Sequence, residues 1–571
     1  MASGERLPLA RDESGVWSAT VRRARRGTRY FYRLNGELQR PDPYSRFQPE
    51  GVHGPSEVVD PDLYAWHDAD WRGLHVQGLV IYQVHVGTFT PEGTLDAVTR
   101  QLARLKSVGV AAIQLLPLAE FPGERNWGYD GVDLFAVSHT YGGPLALKRL
   151  VDGAHAVGLG VIVDVVYNHF GPDGNYLRDF SPDYFTDHYH TPWGEAINYD
   201  GDNSAWVRKM MRDNAQFWVR EYHADGLRLD ATHAIYDGSP RHILAEITEA
   251  ARAASAPDRS VVLIAETGEN DVRYLRSDAE GGFGFDAVYA DDFHHALRRY
   301  LAGDHEGYYA DYDGTLEEVA RCIEQGWLYE GQPTRRSNGE QRRGTPARHQ
   351  PAWQFLYVLQ NHDQVGNRAF GERLHQQVGI ELFAAASALL LFLPFTQMLF
   401  MGQEFGASSP FQFFTDHNAD LGRLVTEGRR QEFKAFSAFV DAALRERIPD
   451  PQAEATFLAS KLRLSEADVP PGSDLQSWYA ALITLRHTDP VLVDQSRERL
   501  AAQALTRDVL AVRRWLANEE RLLLVNFGDA PFETSDFGDG WRLVLSHGGA
   551  TSEAGPVSVS AQTAVILARS S

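Results

Sequence analysis

Short apolar runs separated by longer amphipathic stretches set the pattern from about residue 78 onward. Eight such runs recur in order: Val80–Phe89, Val110–Pro117, Gly160–His169, Asp225–His233, Val261–Thr267, Phe285–Asp292, Phe355–Asp363 and Thr396–Glu404. Segments with apolar positions at helical spacing fill the gaps, among them Leu95–Ser107, Leu145–Val157 and Trp206–Tyr222. Strands joined through helices must run parallel, because an antiparallel pair needs only a tight turn. Eight strand–helix units predict an α/β fold whose centre is a closed (β/α)₈ barrel. Between 293 and 354 the pattern loosens and predicts additional helices and loops. The apolar stretch from Leu382 to Phe395 is too short to span a bilayer and predicts a buried barrel helix.

The flanks read differently. Val16-Trp17-Ser18-Ala19-Thr20-Val21 alternates, and Thr28–Leu34 follows a turn at Gly27, so 16–34 predicts strands. The segments Arg40-Pro41-Asp42-Pro43-Tyr44 and Val59-Asp60-Pro61-Asp62 predict loop and linker. Two or three strands are too few to stand alone. A small N-terminal β domain over 1–75 must therefore lean on its neighbour or lack its first strands. The barrel is expected over 76–487, ending with a helix near Leu475–His487. Strand-like Val509–Trp515, Arg521–Phe527, Trp541–Ser546 and Ala564–Ala568 then predict a C-terminal antiparallel β domain over 488–571.

Composition narrows the function. With 571 residues the chain holds two to four domains, and 43% hydrophobic with 23% charged residues is a globular balance. The net charge of −22 repels phosphate backbones and anionic lipid, so neither nucleic acid nor membrane is an expected partner. A neutral sugar is compatible with it. A lone cysteine, Cys322, excludes an intramolecular disulfide, and Met1 to Ala10 contains no apolar run of the signal-peptide kind. Both features lead to the expectation of a cytoplasmic protein.

Polar residues gather at the carboxyl ends of the predicted strands, where barrel active sites lie. Strand three ends Asp164-Val165-Val166-Tyr167-Asn168-His169, and strand four reads Gly226-Leu227-Arg228-Leu229-Asp230. Strand five ends Leu263-Ile264-Ala265-Glu266, and strand seven Gln360-Asn361-His362-Asp363. Residues two apart share a strand face, so Arg228 and Asp230 point one way while Leu227 and Leu229 point the other. A guanidinium beside Asp230 favours the ionised form that a nucleophile needs. Glu266, set between apolar neighbours, is suited to deliver a proton to a leaving oxygen. This division of labour is that of a retaining glycosidase, whose two carboxyl groups stand roughly 5–5.5 Å apart. Asp363 would stabilise the oxocarbenium-like transition state or hold sugar hydroxyls, and Asp164 would orient its neighbours.

Taken singly, each residue has a commonplace reading: Asp230 as a turn or cap residue, Arg228 as a structural ion pair, His169 and His362 as backbone-bonded. Their joint placement on strands three, four, five and seven weighs against that reading. Other chemistries lack their residues. There is no His-Glu-x-x-His pair, no phosphate-binding Gly-x-x-x-x-Gly-Lys loop and no cysteine cluster. Asp311-Tyr312-Asp313-Gly314 carries part of a calcium loop without the remaining ligands and is read as a turn; Gly281-Gly282-Phe283-Gly284 is read as a loop. No metal and no cofactor are expected.

The four segments Asp164–His169, Gly226–Asp230, Glu266 and Asn361–Asp363 resemble the signature regions of the α-amylase superfamily, in order and spacing, over about 78 to 487. The resemblance implies Asp230 as nucleophile, Glu266 as acid/base and Asp363 as transition-state stabiliser, with His169, Arg228 and His362 around the attacked sugar. It also implies that Tyr129, in Asn126-Trp127-Gly128-Tyr129-Asp130-Gly131, stacks on that sugar. His85–Thr94, Ala290-Asp291-Asp292-Phe293-His294-His295 and Pro410–His417 are similar to the malto-oligosyltrehalose trehalohydrolase family within it. That likeness implies release of trehalose from maltooligosyltrehalose and maltodextrin-like substrates, downstream of a maltooligosyltrehalose synthase. The aromatic and polar groups at 291–295, Asp292 and His294 among them, and at 411–417 become candidates for the leaving group; ordinary core packing is the competing reading for Phe411, Phe413 and Phe414. The chain departs from the family in its shorter N-terminal β domain and in Thr267, where an acidic residue is expected after the acid. A glucan branching enzyme or an amylase would share the triad and the barrel. A non-catalytic glucan-binding protein would not need three carboxylates and Arg228 together.

Overall fold

In the computed structural model, residues 6–337, 340–432, 447–551 and 556–570 are described. The first residues of the Met1–Ala10 segment read above lie outside them. Eight parallel strands close into a barrel: β1 Val80–Val84, β2 Ala112–Leu115, β3 Gly160–Val165, β4 Gly226–Leu229, β5 Val262–Ala265, β6 Ala287–Tyr289, β7 Phe355–Val358 and β8 Thr396–Phe400. Each strand pairs with the next in sequence, and β8 returns to β1.

The period-two pattern explains the layering. Val80, Tyr82 and Val84 of β1, Leu227 and Leu229 of β4, and Leu263 and Ala265 of β5 pack outward in one continuous core with the helices. The intervening Ile81, Ala112, Ile162, Val262, Ile264, Ala287, Tyr289, Leu356, Val358 and Met398 fill the barrel interior. Leu74, Val76 and Leu79, from the segment entering β1, extend that interior cluster beyond the strand starts. Climbing each strand toward its carboxyl end, the interior turns polar. Ile162 gives way to Asp164, Gly226 to Arg228 and Asp230, and Ile264 to Glu266. The sheet register aligns these changes. Asp164 pairs with Arg228 and Leu229 with Ala265, so Asp230 and Glu266 continue adjacent rows one residue further on.

The strands are shorter than the apolar runs that announced them. β1 stops at Val84, and Val86–Phe89 forms one buried helical turn. β7 stops at Val358, and His362–Gly366 is helical, with the Asn361 side chain accepting from the Gln364 amide as its N-cap. Asp363 therefore sits in the first turn of a helix. Asp292 likewise lies in the helix Asp291–Ala302, beyond the end of β6. The predicted helix Leu95–Ser107 is two, Leu95–Thr99 and Leu102–Val108. The apolar segment near 382–395 is the buried helix Ile380–Phe392, and among the described residues no helix is long and apolar enough to cross a membrane.

At the C-terminus β9 Leu500–Ala504, β10 Val509–Leu516, β11 Glu519–Asn526, β12 Arg542–His547 and β13 Thr563–Ser570 form an antiparallel sheet in the order β9-β10-β11-β13-β12. Leu510, Val512, Leu523, Val525 and Ile566 join the barrel's outer core, while Leu522, Leu524, Val565 and Leu567 bury against Trp541, Val557 and Val559. Both faces are covered, which explains the nearly unbroken apolar runs of β10, β11 and β13. Among its described residues the N-terminal region holds short ladders, Ala10–Arg11 with Trp17–Ser18, Arg29–Tyr30 with Ser56–Glu57, and Tyr32–Leu34 with Leu38–Arg40. It lies against the barrel through stacking of Tyr44 on Phe135 and an Arg40–Asp179 ion pair at 2.5 Å.

Candidate active site

Arg228 is the hub of the barrel's carboxyl end. Its side chain is 0% exposed, and a single guanidinium reaches three carboxyl groups. Nη1 donates to both oxygens of Asp164 at 2.7 Å and to Asp230 Oδ1 at 2.9 Å. Nη2 lies 2.9 Å from Glu266 Oε2 as an ion pair. Removing an arginine from water costs several kcal/mol, offset here by three carboxyl groups at contact distance. One rigid fork thereby fixes Asp230 and Glu266 relative to each other. Asp164 anchors the fork from the other side, the orienting place expected for it.

The loop after β4 is tied to the end of β5. Ala231 has a φ of 37°, in the left-handed region that a residue with a Cβ rarely adopts. The bend turns the Ala231 N–H onto Glu266 Oε2 at 2.7 Å, and the Thr232 amide and hydroxyl both donate to the Glu266 carbonyl, at 2.9 and 2.6 Å. Local strain is thus spent on holding the two carboxyl groups in register. Asp230 is 7% exposed, while Glu266 and Asp363 open further to the cleft. Burial, then the nearby Glu266, push Asp230 well above the usual carboxylate range, with Arg228 pulling the other way. The sequence expectation gave Arg228 the upper hand; burial outweighs it. Burial likewise raises Asp164 to about 7 against the pull of Arg228.

Tyr129 reaches the same cluster from the loop after β2. Its hydroxyl donates to Asp164 Oδ2 at 2.9 Å and lies 2.8 Å from His362 Nε2. Gly128 makes this approach possible: its φ is +105°, and a Cβ there would stand 2.4 Å from the Pro117 carbonyl oxygen. Gln83 Oε1 accepts from the His362 main-chain N–H at 3.0 Å and lies 3.2 Å from Nδ1. His169 Nε2 bonds the Tyr129 carbonyl at 3.0 Å, and its Nδ1 is buried without a partner. Burial depresses both rings, His362 to about 3 and His169 to about 4, so both are neutral at pH 7. Asp363 Oδ1 accepts from Asn367 at 3.2 Å, and burial raises it too.

Two candidates stand elsewhere. Asp292 is fully buried, with Tyr312, Asn270 and the main-chain N–H groups of Leu328 and Tyr329 donating to it and Arg343 paired at 3.1 Å. His294 is buried, bonding the Leu359 carbonyl through Nδ1 and the Tyr309 hydroxyl through Nε2. Both have their polar atoms bonded to protein partners, and the structure does not bring them to the Arg228 cluster. Phe411 and Phe414 are fully buried core residues, and Phe413 is covered by the Arg429 guanidinium at 3.9 Å. Packing is their role.

Sequence reading passed over two groups. Gln83 orients His362, with no signal beyond a polar residue inside an apolar strand. Trp193, 47% exposed, stacks on His169 with ring centres 4.7 Å apart. It sits at a hairpin tip, in Thr191-Pro192-Trp193-Gly194. Asp291, read with the rest of 291–295 as a candidate, is the half-buried member of the doublet and accepts from Gln364 Nε2 at 3.3 Å.

Residues 61–453 match the profile of the alpha-amylase catalytic domain, and residues 498–567 match a domain of unknown function, DUF3459. Malto-oligosyltrehalose trehalohydrolase of Deinococcus radiodurans is 47% identical over 507 residues, covering 88% of this chain and 81% of its own. The Arthrobacter ramosus enzyme of the same name is 46% identical over 85% of this chain and 84% of its own. A crystal structure assigned as an alpha amylase from Salmonella typhimurium superimposes with a TM-score of 0.89 at 36% identity, over 98% of this chain and 94% of that one.

Proposed function

We propose, from the premise that this chain belongs to the malto-oligosyltrehalose trehalohydrolase family of α-amylase-type glycoside hydrolases, that it cuts the α-1,4 bond next to the terminal trehalose of maltooligosyltrehalose with retention of configuration. The observation that carries the reaction class is the single buried Arg228 spanning Asp230 and Glu266. Asp230, as the carboxylate held by Arg228, attacks the anomeric carbon while Glu266, as the acid, protonates the departing oxygen. Trehalose leaves. Glu266, now a carboxylate, takes a proton from water, and that water releases the maltooligosaccharide from Asp230. Asp363 faces the positive charge that develops on the ring. Tyr129, His169 and His362 surround the attacked sugar, with both imidazoles neutral so that they add no positive charge beside an oxocarbenium ion.

The substrate assignment rests on the names of the relatives. In that reading the enzyme consumes the product of a maltooligosyltrehalose synthase, and the buried, single Cys322 agrees with a cytoplasmic setting. Digestion of maltotriosyltrehalose and, separately, maltopentaose by the purified protein tests it. Free trehalose is expected from the first substrate at least about tenfold faster than maltopentaose is cut, the scale at which one well-matched subsite discriminates. Equal rates, or new α-1,6 linkages on amylose, would move the protein to an amylase or a branching enzyme.

A further inference from the structure

The segment 410–417, after β8, ends in two polar residues that the reaction above does not use, Asp416 and His417. Both meet the loop after β2 that brings Tyr129 to the Arg228 cluster. That loop is irregular over 121–132, so no helix or strand ladder of its own fixes where Tyr129 points.

The loop is instead fastened from outside at three places. Near its start, Asp416 Oδ2 accepts from the Glu124 main-chain N–H at 2.8 Å, and Asp416 Oδ1 accepts from Arg125 Nη2 at 2.5 Å. In the middle, Trp127 stacks on Phe411 with ring centres 5.1 Å apart and donates through Nε1 to the Gln412 carbonyl at 2.9 Å. At the far end, His417 Nε2 lies 3.4 Å from Asp130 Oδ2, the oxygen that also accepts from Asn126 at 2.6 Å. Tyr129 sits between the second fastening and the third. The two segments run close together: a Cβ on Gly123 would stand 2.2 Å from the Asp416 carbonyl oxygen. Trp127 carries the same constraint to the helical turn that holds Asp363, because a Cβ on Gly366 would stand 2.1 Å from its ring.

Of the three fastenings, Asp416 engages the loop with both carboxylate oxygens. Stacked rings can slide over one another, whereas charge-assisted hydrogen bonds to a main-chain N–H and a guanidinium are short and directional. We propose that Asp416 is a positioning residue for the glycosidase reaction, holding the loop after β2 so that the Tyr129 hydroxyl stays on Asp164 and His362, at 2.9 and 2.8 Å. The proposal rests on the glycoside-hydrolase part of the reading above and not on the trehalose assignment. Asp416 acts on the sugar only through Tyr129. A displacement of about 1 Å in a group around the reacting centre lowers the rate by up to about 10²-fold.

A double-mutant cycle of Asp416→Ala and Tyr129→Phe tests this, with kcat and KM measured on whichever of maltotriosyltrehalose and maltopentaose the parent cuts faster. Asp416→Ala is expected to lower kcat by about 10–100-fold and to leave KM within about threefold of the parent's. Asp416→Asn keeps an oxygen for the Glu124 N–H and is expected to recover most of that loss. In the Tyr129→Phe background no hydroxyl is left to aim. There Asp416→Ala is expected to lower kcat by less than about threefold, since residues that act through one another are not additive. A merely structural role predicts the same factor in both backgrounds. That result overturns the proposal, as does an Asp416→Ala variant with the parent's kcat. Should Asp416→Ala not fold, Arg125→Met breaks the pair from the other side and enters the same cycle with the same expectation. A parent that cuts neither substrate overturns the glycosidase reading, and the proposal with it.

Discussion

Asp230→Asn is expected to lower kcat on maltotriosyltrehalose by about 10⁴-fold, which corresponds to about 5 kcal/mol of lost transition-state stabilisation. An amide cannot form the glycosyl ester, and no other carboxyl group shares its place: Asp164 is buried behind Arg228, and Glu266 is held by the Ala231 N–H and by Arg228 Nη2. The fold should not suffer. Asp230 is held well above the usual carboxylate range by burial and by Glu266, so ionising it is costly in the folded state. Asparagine has nearly the same shape and no charge, and the Arg228 donor can still reach its carbonyl oxygen. A melting temperature equal to or slightly above the parent's is the expected companion result, read by circular dichroism. Near-normal turnover in a folded Asp230→Asn variant would remove Asp230 from the reaction.

Glu266→Gln should separate the two halves of the acid's work. On maltotriosyltrehalose, whose leaving oxygen is a poor one unless protonated, kcat/KM should fall about 10³-fold, in the range typical of a lost general acid. On α-maltosyl fluoride, which departs without a proton, formation of the glycosyl-enzyme should fall no more than about tenfold. Deglycosylation still needs a base, so steady-state turnover of the fluoride will be limited by that step. Added azide, a nucleophile that needs no base, should restore it and yield an α-glycosyl azide. Glutamine keeps an oxygen for the Ala231 N–H, so the left-handed bend that ties β4 to β5 has its partner. Equal losses on both substrates, with no azide effect, would deny Glu266 the acid/base role.

How much of this could be read from the chain varies with the kind of residue. The alternation in Gly226-Leu227-Arg228-Leu229-Asp230 located both faces of β4: Arg228 and Asp230 turn inward, and Leu227 and Leu229 enter the outer core. Period two also placed Glu266 beside them, because Ile264 lies in the interior cluster. Strand ends were not readable. Val86–Phe89 is as apolar as β1, and a four-residue run carries no period that separates a helical turn from a strand. The doublet Asp291-Asp292 shows the same limit at the site. Adjacent residues at a helix start point about 100° apart, and only the packing of the following helix decides which faces the cleft; it buried Asp292 and left Asp291 half-exposed. Ala231 gave no sign of its left-handed bend, since alanine is the opposite of the residue that marks such a position. The Arg228–Asp230 pairing was legible, but the balance of its energetics was not, because the cost of burial depends on neighbours that come from other strands.

The measurement that tests the central claim most directly is proton NMR of the first products formed by the parent enzyme from maltotriosyltrehalose, recorded before mutarotation sets in. Two displacements through Asp230, with Glu266 serving first as acid and then as base, predict that the new reducing end appears in the α configuration and equilibrates toward β over the following minutes. A reducing end that first appears as β would mean a single displacement by water and would contradict the account, because Asp230 would then never carry the sugar.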